Sequence, residues 1–487
     1  MCQCTVVFSS LTFLLLFFPI FMILYFCRKR LKWRNGVLLA ASLLFYGWSD
    51  PIYILAMLFS TAVNYICALR IAATRRKSAR KFYVILAVGI SLAFLFYFKY
   101  ADFTLSTLSS LFGLKTKALG IVLPIGISFY TFQVLTYTVD VYRGVCSVQK
   151  SYADLLLYVS CFPQLIAGPI VQYSDVAEQI GKRRTTMEDF SAGMRRFAVG
   201  LGKKVLLANI CGSMLEETAL AGGGSPLSVA GAWLSAFLYA LQLYFDFSAY
   251  SDMAIGIGRI LGFTYKENFN YPYVSRSASE FWRRWHISLG SFFREYVYIP
   301  LGGNRKGNGR TAVNLMIVWA LTGLWHGASW NFVAWGVYYG VLLMLERFVL
   351  RRVMEKTPSP IRWAVTFLLV LVGWVLFYYT DFSLVLEHLA AMFGFAKTAE
   401  GFVRAAWIDA AAATVLRKYT VYPLLAFLCA MPILPAVKKS YRQRSPGAAV
   451  QRPVHAAAHR ADGAVASVPH RPELQSLHLF PLLRGCP

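Results

Sequence analysis

The chain is 487 residues long, 57% hydrophobic and only 15% charged, where soluble globular domains carry about a quarter charged residues, so a soluble enzyme is excluded and a polytopic membrane protein is indicated. The net charge of +26 does not indicate a nucleic-acid partner, because the basic residues fall in short clusters between apolar runs, as membrane topology and contact with anionic lipid headgroups require. Nine cysteines are scattered without metal-ligand spacing; Cys2 and Cys4 at the terminus read as incidental, and neither a disulfide framework nor a metal site is expected.

Residues 6–27 form a near-continuous apolar run, long enough at about 1.5 Å per residue to cross roughly 30 Å of hydrocarbon. It lacks a basic leader, exceeds the apolar part of a signal peptide and is followed by Arg28, Lys29 and Arg30, so it is read as the first span. Further apolar windows lie at 51–73, 82–98, 119–139, 227–247, 312–345 and 361–379. With shorter stretches included, the expected fold is an all-α polytopic membrane protein of roughly ten or more embedded helices, some broken or re-entrant. The basic clusters at 28–34 and 75–81 place both loops in the cytoplasm, and so the N-terminus and the Asp50–Pro51 turn outside.

Residues 118–345 interleave Gly, Pro and polar groups with apolar helix formers, as in PIGISFYTFQ, CFPQLIAGPIV and LQLYFDFSAYSDMAIG. Such backbone is tolerated at membrane depth only where protein buries it or a cavity hydrates it. This middle is therefore read as the functional core around a central polar tunnel, with Gln242, Asp246, Tyr250, Trp325 and Asn331 as candidates to line it. Gly323 with Gly327, and Gly336 with Gly340, form two G-x-x-x-G pairs, which predicts close helix packing at His326. Asp140, Asp246 and Asp252 also lie in apolar surroundings, where acids generally pair with basic groups or backbone as structural glue.

From about residue 441 the chain has no Lys and loses its hydrophobic runs, and it carries His455, His459, His470 and His478, four of the seven histidines. This divides a membrane domain at 1–440 from a polar tail at 441–487. The tail has the composition of a disordered cytoplasmic segment, but a frame-shifted translation is the reading we favour. Codons for Glu473–Arg484 can be chosen so that dropping one base gives an aromatic-rich peptide followed by a stop, and the gene sequence decides between the two.

Two segments carry candidate chemistry. Ser277 and Glu280 have the spacing of a capping box, so a helix is expected to start there. Phe281, Trp282, Trp285, Leu289, Phe292, Phe293 and Tyr296 recur at helical spacing, with Arg283, Arg284 and Glu295 elsewhere, which describes an interfacial amphipathic helix. His286 falls on the border of its buried face, either incidental there or functional. His326 is the only acidic, basic or imidazole side chain between Arg310 and Glu346. It is either a satisfied interhelical hydrogen bonder or a group that titrates near neutral pH and moves a proton.

Taken together, FSSLTFLLLFFP, FYFKYADF, LPIGISFYTFQ, VDVYRG, FPQLIAGPIVQY, GLGKKVLLAN, YFDFSAYSDMAIGIGR, ENFNYPY, EFWRRWHISL, YVYIPLGGNR and LTGLWHGASWNF resemble the membrane-bound O-acyltransferase family. The nearest branch holds the alginate O-acetylation membrane subunit and peptidoglycan O-acetyltransferases. The resemblance runs from about residue 8 to 350, and more weakly to about 435. It implies that His326 corresponds to the family's catalytic histidine and His286 to its second active-site residue. His326 would act as general base toward the acceptor hydroxyl, and His286 would stabilise the oxyanion or position the donor carbonyl.

The resemblance further implies acetyl transfer from a cytoplasmic donor, acetyl-CoA, with no tightly bound cofactor. The acceptor would be an extracytoplasmic polysaccharide, alginate-type or cell-wall glycan. A partner of the SGNH-hydrolase-like acetyltransferase type and a bacterial inner membrane are implied as well. Arg283 and Arg284 are candidates to neutralise acyl-CoA phosphates, with a plain topological role as the alternative. YVYIPLGGNR (296–305) departs from relatives that transfer D-alanine to teichoic acid, which are the alternative within the fold. Ala249 stands where the family usually has Gly. The aberrant tail would remove the family's last helix and a tyrosine-bearing terminus, which leaves a non-catalytic remnant as another reading. A proton-coupled transporter would also suit a polar core, although no repeat between the halves supports one.

Overall fold

The computed structural model describes residues 7–115, 117–165, 168–220, 227–398 and 401–433. The tail at 441–487 and the Cys2/Cys4 pair lie outside the described residues. A chain in hydrocarbon must satisfy its own backbone polar groups, and this one does so with helices. Five helical stretches are long and apolar enough to cross a membrane: Ile54–Ala73, Lys77–Phe112, Met187–Thr218, Trp330–Val349 and Ser359–Tyr378. Phe13–Phe26 and Phe382–Met392 are shorter apolar helices. Of the ten or more embedded helices expected, these five reach full length and apolarity among the described residues. The protein is a multi-pass helical membrane protein with, among the described residues, one short antiparallel ribbon, Phe395–Thr398 with Gly401–Arg404, in which Phe395 lies opposite Arg404.

Three boundaries differ from the apolar windows. The 119–139 window becomes helical only at Ile127, after a non-helical approach. The 312–345 window divides at Gly327, so Gly307–His326 and Trp330–Met344 form an antiparallel hairpin with His326 at its tip. The Met187–Thr218 stretch was hidden by its own charges, which the fold neutralises. Lys204 pairs with Asp246 at 2.7 Å, Lys203 with Asp252 at 2.6 Å and Arg196 with Asp252 at 2.8 Å. Both acids belong to the 32-residue helix Val229–Ile260, so the charges that obscured a span in the sequence tie it to this central helix.

Small residues let the same two helices approach. A Cβ on Gly193 would lie 2.6 Å from the Gly256 carbonyl oxygen, and one on Gly200 would lie 2.7 Å from that of Ala249. The close approach at Ala249 is thus provided by Gly200. The hairpin packs in the same way. A Cβ on Gly323 would fall on the Phe332 carbonyl oxygen, and one on Gly336 on that of Trp319, in agreement with the close packing expected at His326.

The start of the central helix is sealed by a distant segment. Val229 and Ala230 donate their N–H groups to the carbonyls of Ala406 and Trp407 at 3.0 and 2.9 Å. The Asp409 carboxylate accepts from Ser228 N–H at 3.1 Å and from Ala412 N–H at 2.7 Å. Donors that a helix N-terminus leaves orphaned are satisfied here by tertiary contact.

Candidate active site

The expected helix does start after Ser277, whose hydroxyl accepts from Glu280 N–H at 3.0 Å. It covers only Ala278–Arg284, and a second helix, Ile287–Phe293, follows. The continuous amphipathic helix is therefore corrected to two short ones. Trp285 is extended and His286 adopts a left-handed conformation, φ 45° and ψ 54°. Asn268 causes the break by capping the second helix from another segment. Its carbonyl accepts from Ile287 N–H at 3.0 Å, and its Oδ1 accepts from Ser288 N–H at 3.2 Å and Ser288 Oγ at 2.9 Å. A left-handed non-glycine residue costs on the order of 1–3 kcal/mol and persists only where its surroundings hold it, a pattern concentrated at functional sites.

His286 is 2% exposed, and its Nδ1 lies 3.2 Å from Asn268 Oδ1. An amide oxygen only accepts, so the Nδ1 side carries the proton and Nε2 presents a lone pair. That Nε2 is buried and has no hydrogen-bond partner among the described residues. The Phe247 ring stands edge-on to the imidazole at 4.7 Å between centroids.

His326 ends its helix and is only partly buried. Its ring is packed by Trp325, Trp335 and Phe377 at centroid distances of 4.9, 5.0 and 5.1 Å. Neither ring nitrogen has a hydrogen-bond partner among the described residues. Trp325 also touches His286, at 5.8 Å. One indole thus brings together imidazoles that are 40 residues apart in sequence, at 286 and 326.

A third imidazole in the fold provides a contrast. His388 Nε2 faces the Ala232 carbonyl at 3.0 Å and its Nδ1 faces the Tyr379 hydroxyl at 2.8 Å. Because the carbonyl only accepts, Nε2 donates and Nδ1 receives the Tyr379 proton. Both nitrogens are occupied, as in a structural histidine.

The other sequence candidates separate clearly. Asn331 closes the hairpin turn, receiving the Ser329 hydroxyl and donating to the Tyr379 carbonyl. Asp246 is held by Lys204, Tyr250 stacks on Phe8 at 4.5 Å, and Gln242 is buried in the central helix. On that helix Phe247 supplies a ring contact to His286. Arg283 is exposed and carries no acid partner among the described residues. Arg284 is engaged by Glu280 at 2.9 Å and by the Asn270 carbonyl at 3.1 Å.

Two residues that sequence reasoning did not single out complete the site. Asn268 holds His286, as described. Lys99, deep in the apolar Lys77–Phe112 helix and 9% exposed, donates to Ser128 Oγ at 3.0 Å and to the Trp325 carbonyl. Next to it, the Tyr100 hydroxyl donates to the Leu324 carbonyl at 2.8 Å. An amine and a hydroxyl thereby satisfy the last carbonyls before His326, which a helix C-terminus leaves without intrahelical partners. The available signal was the lysine itself, since an ionisable group inside an apolar span is a functional candidate by default.

Comparison with known proteins bears on this arrangement. The profile of the MBOAT, membrane-bound O-acyltransferase family matches residues 145–387, which contain both histidines. A probable alginate O-acetylase of Pseudomonas putida is 42% identical over 395 residues, 80% of this chain and 80% of that protein. A peptidoglycan O-acetyltransferase of Helicobacter pylori is 34% identical over 387 residues, 73% of each chain. A teichoic acid D-alanyltransferase of Streptococcus thermophilus is 28% identical over 247 residues, 47% of this chain and 58% of that protein. With similarity of this degree across four fifths of a relative's length, the chain belongs to the membrane-bound O-acyltransferase family and is a membrane O-acyltransferase.

Proposed function

We propose that the protein moves an acetyl group from cytoplasmic acetyl-CoA to hydroxyls of an extracytoplasmic polysaccharide, an alginate-type exopolysaccharide or a cell-wall glycan, in the bacterial inner membrane. The observation that carries the site is the pair of imidazoles packed on Trp325, each with ring nitrogen left free, beside a His388 with none. Relatives named for alginate and peptidoglycan O-acetylation match most of the chain, whereas the D-alanyltransferase matches about half of it at lower identity. This favours acetyl over D-alanyl transfer.

In the proposed reaction His326 accepts the proton of the acceptor hydroxyl as its oxygen attacks the acetyl thioester carbon. The tetrahedral intermediate collapses to an ester and a thiolate, and the thiolate recovers the proton from the imidazolium. His286 in its neutral form presents a lone pair, which suits accepting a hydrogen bond from an incoming hydroxyl. Donation to the oxyanion requires a second proton on that ring. In this reading the N-terminus lies outside and the donor side inside, as the basic clusters at 28–34 and 75–81 support. An SGNH-hydrolase-like acetyltransferase outside the membrane completes delivery to the polymer.

Inverted membrane vesicles from the native host, supplied with acetyl-CoA labelled in its acetyl group, test this function. The expected result is base-labile label on polymer or partner protein inside the vesicles, lost with His326→Ala. Wild-type vesicles that place no label in ester linkage would reject the function.

A further inference from the structure

The turn between the two histidine segments builds a second site. Residues 299–306 connect the helix that follows His286 to the helix that ends at His326. They wall a pocket of about 300 Å³ together with Arg294 and Arg347. Arg305 is the third guanidinium at its wall, with Asn304 and Tyr298 beside it, and no acidic residue lines it.

The neighbouring acids are committed elsewhere. Glu295 accepts from Gln172 Nε2 at 2.9 Å. Glu346 accepts from Ser279 N–H at 2.9 Å and Ser279 Oγ at 2.7 Å. None of the three arginines has an acid partner among the described residues. Like charges gathered at one cavity repel unless an anion joins them, and planar guanidinium forks match phosphate oxygens in geometry as well as charge.

The pocket floor is fixed in advance. Gly302 and Gly303 turn the chain at φ 106° and 56°. The fully buried Asn314 amide donates to the carbonyls of Gly303 at 2.9 Å and Leu301 at 3.3 Å. A ligand therefore meets a formed turn and has little ordering cost to offset.

We infer that this pocket is a phosphate-binding site, taking the phosphates of a pantetheine-type acyl donor or of an anionic lipid headgroup. The donor assignment rests on the acetyl-transfer reading above. Twelve residues separate His286 from Tyr298, about 18 Å at helical rise. A donor anchored here reaches the imidazoles only through a long flexible arm such as pantetheine, which keeps its charges at the arginines while the thioester enters the apolar site.

The test uses the full-length protein in nanodiscs of zwitterionic lipid and compares wild type with an R294Q/R305Q/R347Q variant. Coenzyme A binding is titrated directly, and thermal stabilisation is followed as phosphatidylglycerol is added. Coenzyme A affinity that is tenfold or more weaker in the variant, with an unchanged melting point in neutral lipid, assigns the pocket to the donor. Loss of phosphatidylglycerol stabilisation with coenzyme A binding intact assigns it to a lipid headgroup. Equal response of both proteins to both ligands overturns the site.

R305Q alone, on the exposed turn, gives the same comparison if the triple variant fails to fold. Acetyl transfer is measured in parallel on wild type. If transfer is absent while coenzyme A still binds through these arginines, the acetyl-transfer function falls and the pocket stands.

Discussion

Lys99 Nζ donates to the carbonyl oxygen of Trp325, the residue whose indole lies against both His286 and His326. This one contact links the Lys77–Phe112 helix to the tip of the histidine hairpin and places an amine donor at the end of the helix that presents His326. Lys99→Met is expected to lower kcat roughly 10²-fold by misplacing the imidazole, with little change in KM for the donor. Kinetics normalised to folded protein check this, because a purely structural lysine would reduce the yield and leave kcat per folded molecule unchanged.

Asn268 performs the equivalent task for His286 by holding its Nδ1 proton and capping the following helix. Asn268→Ala removes both and is expected to cost on the order of 10²-fold in kcat. Asn268→Asp keeps an acceptor in place and should retain more activity than alanine. Turnover of the two variants at equal membrane content decides this, and equal losses would show that the acceptor does not matter.

The hairpin depends on Gly336 more than on its G-x-x-x-G partner Gly340. Gly336→Ala places a methyl group on the Trp319 carbonyl, and overpacking of this kind costs about 1–3 kcal/mol. At Gly340 a Cβ meets the flexible Met316 sulfur at 3.2 Å and the Trp319 Cβ at 3.3 Å, with no backbone atom among its nearest neighbours, so Gly340→Ala should unfold closer to wild type. Thermal unfolding in one detergent, compared between the two variants, is the measurement.

Asp409 gives a pH prediction away from the apolar spans. Burial pushes its carboxyl up, but donation from Ala412 and Ser228 outweighs this and holds it below the usual carboxylate range. A depressed folded value means the contribution is present above the unfolded value near pH 4 and is lost as pH falls through the folded one. Asp409→Ala should cost about 1–2 kcal/mol at neutral pH. The gap from wild type in unfolding midpoint should close only under acid conditions.

The placement of the candidate site was legible because an imidazole inside an apolar span is conspicuous: His326, its neighbour Trp325 and the glycine packing around them all follow from local sequence. The break at His286 was not legible. Aromatic spacing from Phe281 to Tyr296 is continuous, and the Asn268 group that interrupts it comes from a segment 18 residues earlier, at 268 against 286. Met187–Thr218 hid for a related reason, since its basic residues read as solvated until Asp246 and Asp252 are brought across from another helix. The bridge from Arg284 to Glu280 was not read from the sequence because Glu280 was assigned only to the helix cap. Lys99 stood in plain sight within FYFKYADF, but only the fold shows that it reaches the carbonyl next to His326.

The most direct measurement is the ester-linked acetate on surface polysaccharides isolated from the native host, comparing wild type with a chromosomal His326→Ala replacement. Selective loss of acetate from one polymer, with the variant protein still present in the membrane, is the predicted result and names the acceptor. Unchanged acetate in every polysaccharide fraction, with wild-type acetylation intact, would contradict the role of His326.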